Sequence, residues 1–383
     1  MSDNMDEKWV QPAQNSIDAI AHGMTYADGS EFDVRLTTDG ELVLHHNARI
    51  ELSTKNERTE GLEIFVEQNH SDDLREAGFE LLSELIEDPR IIDSWINGSS
   101  TACIEIKRPH PKAKIVGGYF HRNGMREHVE KIMKNIENIL SPLEIPERNT
   151  VIYSFDPETM EAHSESGINI PAAPINPSIR TWGLAPIRRA MALPSFGKRN
   201  VLQMVHHWKN MDAPVLPLAL KHIYSWSKYL HLGRTYSYKG KSLVSLNKQR
   251  QGYPIHVWPT PIEIEKKIIS GGFTALSDLM DPTILRTPQG QTRWMKPGTH
   301  PLTPEIDEMM TKPTDDENAR ELFKQASLEP TWDEMDLKER QVLIDRLKPR
   351  LFWPEIKADE GSPPWEIPRF IGHRGAGKTF KEG

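Results

Sequence analysis

Up to about residue 282, short apolar segments of strand length alternate with stretches of helical spacing, and no other feature restricts the possible fold as much. Ser16 is placed to cap a helix over 16–27, followed by the strand GSEFDVRL, the turn Thr38-Asp39-Gly40 and a second strand, ELVLHH. A polar stretch over 48–75 reads as loop, and 74–97 carries helical periodicity leading into the strand ACIEIK at 102–107. Further strands are expected at TVIYSF (150–155), RTWGLA (180–185), LALKHI (218–223), IHVW (255–258) and FTALSD (273–278), with helices near 124–140, 197–210 and 261–271. Apolar strands alternating with helices predict a parallel sheet covered by helices. Some seven strands over this length favour a closed (β/α)8 barrel over an open sheet.

Residues 283–366 break the rhythm: they are rich in Pro, Thr and charge, with helical stretches near 315–327 and 333–347, and read as a connecting segment with accessory helices. One further strand, PRFIGHRG at 368–375, then stands at the C-terminal end. No internal repeat of fixed period is visible.

Composition narrows the class. Hydrophobic residues make up 37% of the chain and charged residues 27%, an ordinary balance for a folded protein. No run of some 18 apolar residues occurs, and the start MSDNMDEKWV is polar, so neither a transmembrane helix nor a secretory signal is expected, and a cytoplasmic location is. The net charge of −8 argues against a non-specific nucleic-acid binder. A single cysteine, Cys103, excludes an intrachain disulfide and any multi-cysteine metal site, and its expected role is packing.

The tail Gly372-His373-Arg374-Gly375-Ala376-Gly377-Lys378-Thr379 satisfies G-x-x-x-x-G-K-[ST]. A phosphate loop needs a following helix whose N-terminal amides face the phosphates. Too little chain follows Thr379 here to form one, so the match reads as an accident of glycine content.

A different constellation carries chemistry. Glu31 and Asp33 lie two apart on a predicted strand and therefore share a face. Glu105 sits in the apolar strand ACIEIK, where an unpaired charge is costly, with Lys107 on the same face. Carboxylates converging at the C-terminal end of barrel strands would suit a hard divalent cation. A Glu105–Lys107 ion pair beside an exposed strand edge accounts for the same residues without a metal. His45 and His46 end ELVLHH and point to opposite faces, so one of them can face the carboxylates; His373, followed by Arg374, ends the last strand. A cation, two histidines and basic donors form a set suited to phosphoryl chemistry.

These residues resemble the glycerophosphodiester phosphodiesterase family. EFDVRLTTDGELVLHHN is similar to its E-x-D…T-x-D-G…V-x-x-H-D signature, IEIK to its E-x-K strand, YSFDP to its S-F-D strand, and HVW with GGFTALSD to its last two strands. IGHRGAGKTFKEG resembles the H-R-G segment that opens the family's barrel, and QNSIDAIAHGMTYADG the E-N-T/S helix that follows. The order differs, since here H-R-G comes after E-x-D. Reading the C-terminal end into the N-terminal end restores the family order, which implies a circularly permuted TIM barrel over 13–282 and 367–383, joined by 283–366. A fragment of a tandem array is the competing explanation, and the pieces add up to about one barrel.

The resemblance implies that Glu31, Asp33 and Glu105 bind one Mg²⁺ or Ca²⁺. It makes His373 and His46 an acid/base pair and sets Arg374 and Lys107 against the non-bridging oxygens of a small phosphodiester substrate. Spacing selects His46 over His45, and Trp258 lines the pocket or packs in the core. Two positions depart from the pattern, Gln14 for the family's glutamate and Asn47 for its aspartate. The expected activity is metal-dependent hydrolysis of a glycerophosphodiester to an alcohol and a glycerol phosphate. The alternative is a silent barrel that binds a protein partner through 283–366.

Overall fold

A computed structural model describes residues 9–50, 61–115, 118, 120–177, 190, 198–224 and 237–378. The first strand, β1 (Gly29–Leu36), has the bounds its sequence predicts and is buried along its whole length. Beside it on one side runs β3 (Thr101–Ile106), then β4 (Thr150–Ser154) and β5 (Ala172–Pro174). On its other side run β9 (Phe370–Gly372), β8 (Thr274–Ser277), β7 (Ile255–Trp258) and β6 (Leu216–Ala219). All of these pairings are parallel. Between β5 and β6 a single bridge, Asn176 with Leu218, makes the seam of a nearly closed barrel of eight parallel strands, a TIM barrel. The C-terminal strand β9 thus lies between β8 and β1. A short hairpin strand, β2 (Leu42–Leu44), pairs antiparallel with β1 outside this ring.

Buried parallel strands are apolar where they meet the covering helices, and the two faces part cleanly on β1. Phe32 and Val34 pack outward on the helix Ile17–Tyr26 and its neighbours. The register sets Glu31 beside Cys103 and Asp33 beside Glu105. Cys103, Val151, Tyr153, Leu276 and Ile371 form an inner cluster with Trp365. Cys103 is fully buried there, and burial pushes its thiol up to about 12, in keeping with packing. Ser16 caps the first helix, accepting from Ala19 N.

Several expectations differ. The strand within ELVLHH ends at Leu44; His45 N still bonds the Asp33 carbonyl, and His46 lies beyond it. The polar stretch before residue 75 contains a helical start at Ser71–Glu76, and the periodic run after it breaks into Leu82–Leu85, Pro89–Ile91 and a wider turn at Ile92–Ile96. RTWGLA lies outside the described residues; the strand that pairs with β4 is Ala172–Pro174, masked in sequence by Pro174 and by Pro171 just before it. Helices at Thr159–Ser166 and Gly240–Arg250 and a third in the connecting segment, Pro304–Thr311, were not expected; in the last, proline at the first turn reads locally as loop. Among the described residues no helix is long and apolar enough to cross a membrane.

The segment 283–366 packs against the end of the barrel where strands begin. Asp28, just before β1, is fully buried and accepts from Gly298 N, from Thr299 N and Oγ1, and from Phe370 N at the start of β9. Ser99, just before β3, donates its N–H to Asp333, and Arg148, just before β4, pairs with Asp359. Trp365 and the fully buried Arg369, which donates to the carbonyls of Pro364 and Ile367, close the barrel floor.

Besides His373, three histidines among the described residues are buried: His128, His222 and His256, whose Nδ1 lies 2.5 Å from Tyr153 Oη. Burial lowers them from 6.5 to about 4, 4 and 3, so each is neutral in the folded protein. Their contribution to stability is complete above pH 6.5 and is lost as pH falls toward these values, because the unfolded chain takes protons that the folded one refuses. Urea titrations should therefore show the unfolding free energy falling between pH 6.5 and 4, by up to about 1.4 kcal/mol per pH unit for each histidine. His256→Gln should flatten that slope by about one proton; an unchanged slope would rule His256 out.

Candidate active site

Inward-facing residues at the C-terminal ends of β1 and β3 meet the turn that follows β9. Glu31, Asp33 and Glu105 are buried, and one carboxylate oxygen from each lies within 4.8 Å of the others. Parallel register brings this about, since Asp33 stands directly beside Glu105 and Glu31 one inward position below. Lys107 leans into the cluster, bonding Glu105 and lying 3.0 Å from Asp33 Oδ1. The Glu105–Lys107 pair weighed in sequence is therefore formed, but deep in the barrel mouth beside two more carboxylates instead of at an exposed edge.

The turn His373–Ala376 is built around Glu31. Arg374 N donates to Glu31 Oε2 (2.9 Å) and Gly375 N to the Glu31 carbonyl (2.9 Å), while Gly377 N closes back on the His373 carbonyl. These three amides are engaged within the turn and are not available to cradle a phosphate, and Thr379 lies outside the described residues. Gly375 is required at its position: φ is +82°, and a Cβ would lie 2.4 Å from the Ala19 carbonyl carbon. Arg374 is held at φ +55°, a strained value for a residue with a Cβ.

His373 Nδ1 lies 2.6 Å from Asp278 Oδ1, and its Nε2 is 3.6 Å from Glu31 Oε2. Arg374 donates to Gln14 Oε1 (2.8 Å) and to His46 Nε2 (2.7 Å). A guanidinium can only donate, so His46 Nε2 accepts, and the ring proton sits on Nδ1, which donates to Asn47 Oδ1 at 2.9 Å. Both departures from the family pattern thus serve as neutral acceptors: Gln14 holds Arg374, and Asn47 orients His46. His45 turns away onto the Phe79 ring. Trp258, half-buried, meets Phe155 edge-on, and Lys107 Nζ stands 5.8 Å from the Phe155 ring centre.

Two contributors were not singled out in sequence. In sequence Asp278 is no more than the end of the strand FTALSD. Asn15 donates to Asp33 Oδ2 at 2.7 Å and accepts from Asp33 N at 3.0 Å, although its neighbour Gln14 drew the attention.

The electrostatics separate these groups. Burial, then Asp33 and Glu105, push the Glu31 carboxyl well above its usual range. Burial also opposes ionisation of Asp33, but Lys107, Arg374 and the Asn15 amide outweigh it and hold that carboxyl far down. Burial lifts Glu105 to about 7 in spite of Lys107. Burial and the charges of Lys107 and Arg374 drive His46 well below 6.5. Burial lowers His373 as well, against the bond and charge of Asp278.

The cluster fits a hard divalent cation. Its donors are all carboxylate oxygens, Glu31 Oε1 is buried without a hydrogen-bond partner among the described residues, and Lys107 already stands in as a cation between Asp33 and Glu105.

Among known proteins, a family model described as the glycerophosphoryl diester phosphodiesterase family matches residues 8–210. No curated protein matches the chain. Similar solved structures include a glycerophosphodiester phosphodiesterase from Thermotoga maritima, at 17% identity over 66% of this chain and 83% of that one, with a TM-score of 0.39. Another, from Parabacteroides distasonis, is 17% identical over 72% and 90%, with a TM-score of 0.43. A phosphodiesterase from Oleispira antarctica, solved with the product sn-glycerol-3-phosphate, is 13% identical over 70% and 88%, with a TM-score of 0.42. With more than half of its length matched by the family model, the chain belongs to the glycerophosphoryl diester phosphodiesterase family, a family of phosphoric diester hydrolases.

Proposed function

We propose that this protein hydrolyses glycerophosphodiesters to an alcohol and a glycerol phosphate, with a divalent cation, Mg²⁺ or Ca²⁺, held by Glu31, Asp33 and Glu105. The observation that carries the reading is the buried carboxylate triad within 4.8 Å, set in this family's barrel between His373 and a neutral His46. What a cation supplies there is positive charge against the phosphate oxygens as charge builds during displacement. The chain's own residues account for the rest. Arg374 and Lys107 offer donors to the non-bridging oxygens. As Arg374 turns from His46 to the phosphate it frees His46 Nε2, and this ring, kept neutral by burial and two adjacent cations, takes there the proton of the attacking hydroxyl, which belongs to water or to the glycerol carbon next to the ester. In the second case a cyclic phosphate forms first and is then opened by water. Burial lowers His373 on balance, but the bond and charge of Asp278 act in the opposite sense and support the protonated form it needs to give a proton to the departing alkoxide.

The same reading extends to chain order. The position of β9 between β8 and β1 supports a circular permutation of the barrel, with 13–282 and 367–383 as its two parts and 283–366 as the joining segment.

The test is release of glycerol phosphate from glycerophosphocholine with Mg²⁺ or Ca²⁺, repeated after EDTA. Turnover should appear with the cation and vanish on chelation. Full turnover in EDTA would remove the metal from the mechanism, and an intact fold without turnover on a broad diester panel would favour the silent barrel.

A further inference from the structure

The anchors of 283–366 described above are at the barrel floor, but Arg293 reaches the opposite face. Arg293, 3% exposed, extends from the connecting segment to Glu265, which begins the helix after β7 and is equally buried. The guanidinium grips that carboxylate with Nε (2.7 Å) and Nη2 (3.0 Å). It also donates to the carbonyls of Leu279 and Asp281, in the loop that leaves β8. Glu265 in turn accepts from Ser277 Oγ at 2.6 Å, the last residue of β8. The carbonyl of Ser277 accepts from His373 N (2.9 Å), and the next residue, Asp278, holds His373 Nδ1.

We propose that Arg293, acting through Glu265 and Ser277, is a positioning residue for the Asp278–His373 pair, so that the connecting segment completes the active site. The inference rests on the catalytic reading of His373. A buried ion pair is a poor way to gain stability, since apolar residues of similar volume do as well or better. A guanidinium fork, however, fixes several acceptors at once in set directions. Here it fixes both the helix start and the carbonyls of the loop carrying Asp278. That loop is confined from its other side too, because a Cβ on Gly377 would lie 2.0 Å from the Asp278 carbonyl oxygen. Without the fork, the loop is free to drift relative to the His373 turn, and acid/base geometry tolerates little drift.

Steady-state kinetics on glycerophosphocholine test this with the full-length protein. Arg293→Met alone leaves Glu265 buried and unpaired and endangers the fold, so the main variant is Arg293→Met/Glu265→Met, which keeps the volume and removes both charges. It should lower kcat by about 10- to 100-fold and leave KM within about twofold, at near-wild-type melting temperature. In an Asp278→Asn background the same pair of changes should cost almost nothing more, since both act on His373. Arg293→Lys, which keeps the charge but not the fork, should recover only part of the loss. Unchanged kcat, or losses that multiply in the Asp278→Asn background, would overturn the proposal. An active His373→Ala enzyme would overturn the catalytic reading and this inference with it. An inactive His373→Ala beside an unimpaired Arg293→Met/Glu265→Met enzyme would overturn this inference alone.

Discussion

His373→Ala should reduce kcat for glycerophosphodiester hydrolysis by about 10²- to 10⁴-fold, the usual worth of a positioned acid or base. The side chain is nearly buried, donates toward Asp278 and lies beside the triad, so its removal takes away a proton donor without emptying a large apolar site. KM should change little, because Arg374 and Lys107 still face the phosphate. Substrates with a better leaving group separate the proposed role from a structural one. An aryl phosphodiester departs as a stable phenolate and needs little protonation, so the variant should recover much of its rate there. Equal losses on alkyl and aryl diesters would sink the assignment of His373 as the acid.

Glu31→Gln should abolish metal-dependent turnover and at the same time raise the melting temperature of the metal-free protein. Glu31 is ionised at a cost, since burial and two neighbouring carboxylates push its carboxyl well above the usual range. As soon as pH passes the ordinary carboxylate value the unfolded chain ionises freely while the folded one must keep a proton or hold a buried charge, and a neutral amide of the same shape removes that cost. The amide oxygen can still accept from Arg374 N, so the turn around His373 keeps its support. Added Mg²⁺ or Ca²⁺ should behave in the opposite sense, stabilising the wild type by about 2.7 kcal/mol at a hundred times its Kd while leaving Glu31→Gln almost unmoved. Thermal melts with and without the cation check both halves. A wild type indifferent to cations, beside an active Glu31→Gln, would remove Glu31 from the metal site. Such opposition of stability and activity is common where a site concentrates like charge.

The parts of this site that were legible in sequence are those that depend on local periodicity. Glu31 and Asp33 share a face because a strand repeats every two residues, and β1 was easy to bound between Gly29 and the Thr38-Asp39-Gly40 turn. Glu105 stood out because an acid in an apolar strand demands a reason. The pairing of His373 with Asp278 spans 95 residues and depends on β8 and β9 lying side by side, which no local spacing encodes. Asn15 escaped notice because its role is to hold Asp33, and nothing in QNS separates an amide that caps from one that clamps. Arg293 was hidden among the prolines, threonines and charges of 283–366, where a loop composition gave no hint that one side chain reaches the catalytic face. The strand β5 failed for a different reason: its residues, Ala172 to Pro174, pair through too few groups to leave a pattern.

The place of β9 has a consequence for how the protein acquires its shape. Phe370 N bonds to the Asp28 carboxylate across 342 residues of chain, and β1 meets β8 only through β9. Until that strand arrives, β1 and β8 each present an open parallel edge, the kind of surface that invites pairing with other chains. Pairing with so distant a segment raises the contact order of the fold, which slows folding. Refolding from denaturant should accordingly be concentration-sensitive, with aggregation competing against ring closure. The same late strand leads straight into His373, so a half-closed barrel lacks the proposed acid as well, and competence to react would arrive in the same step as the last seam.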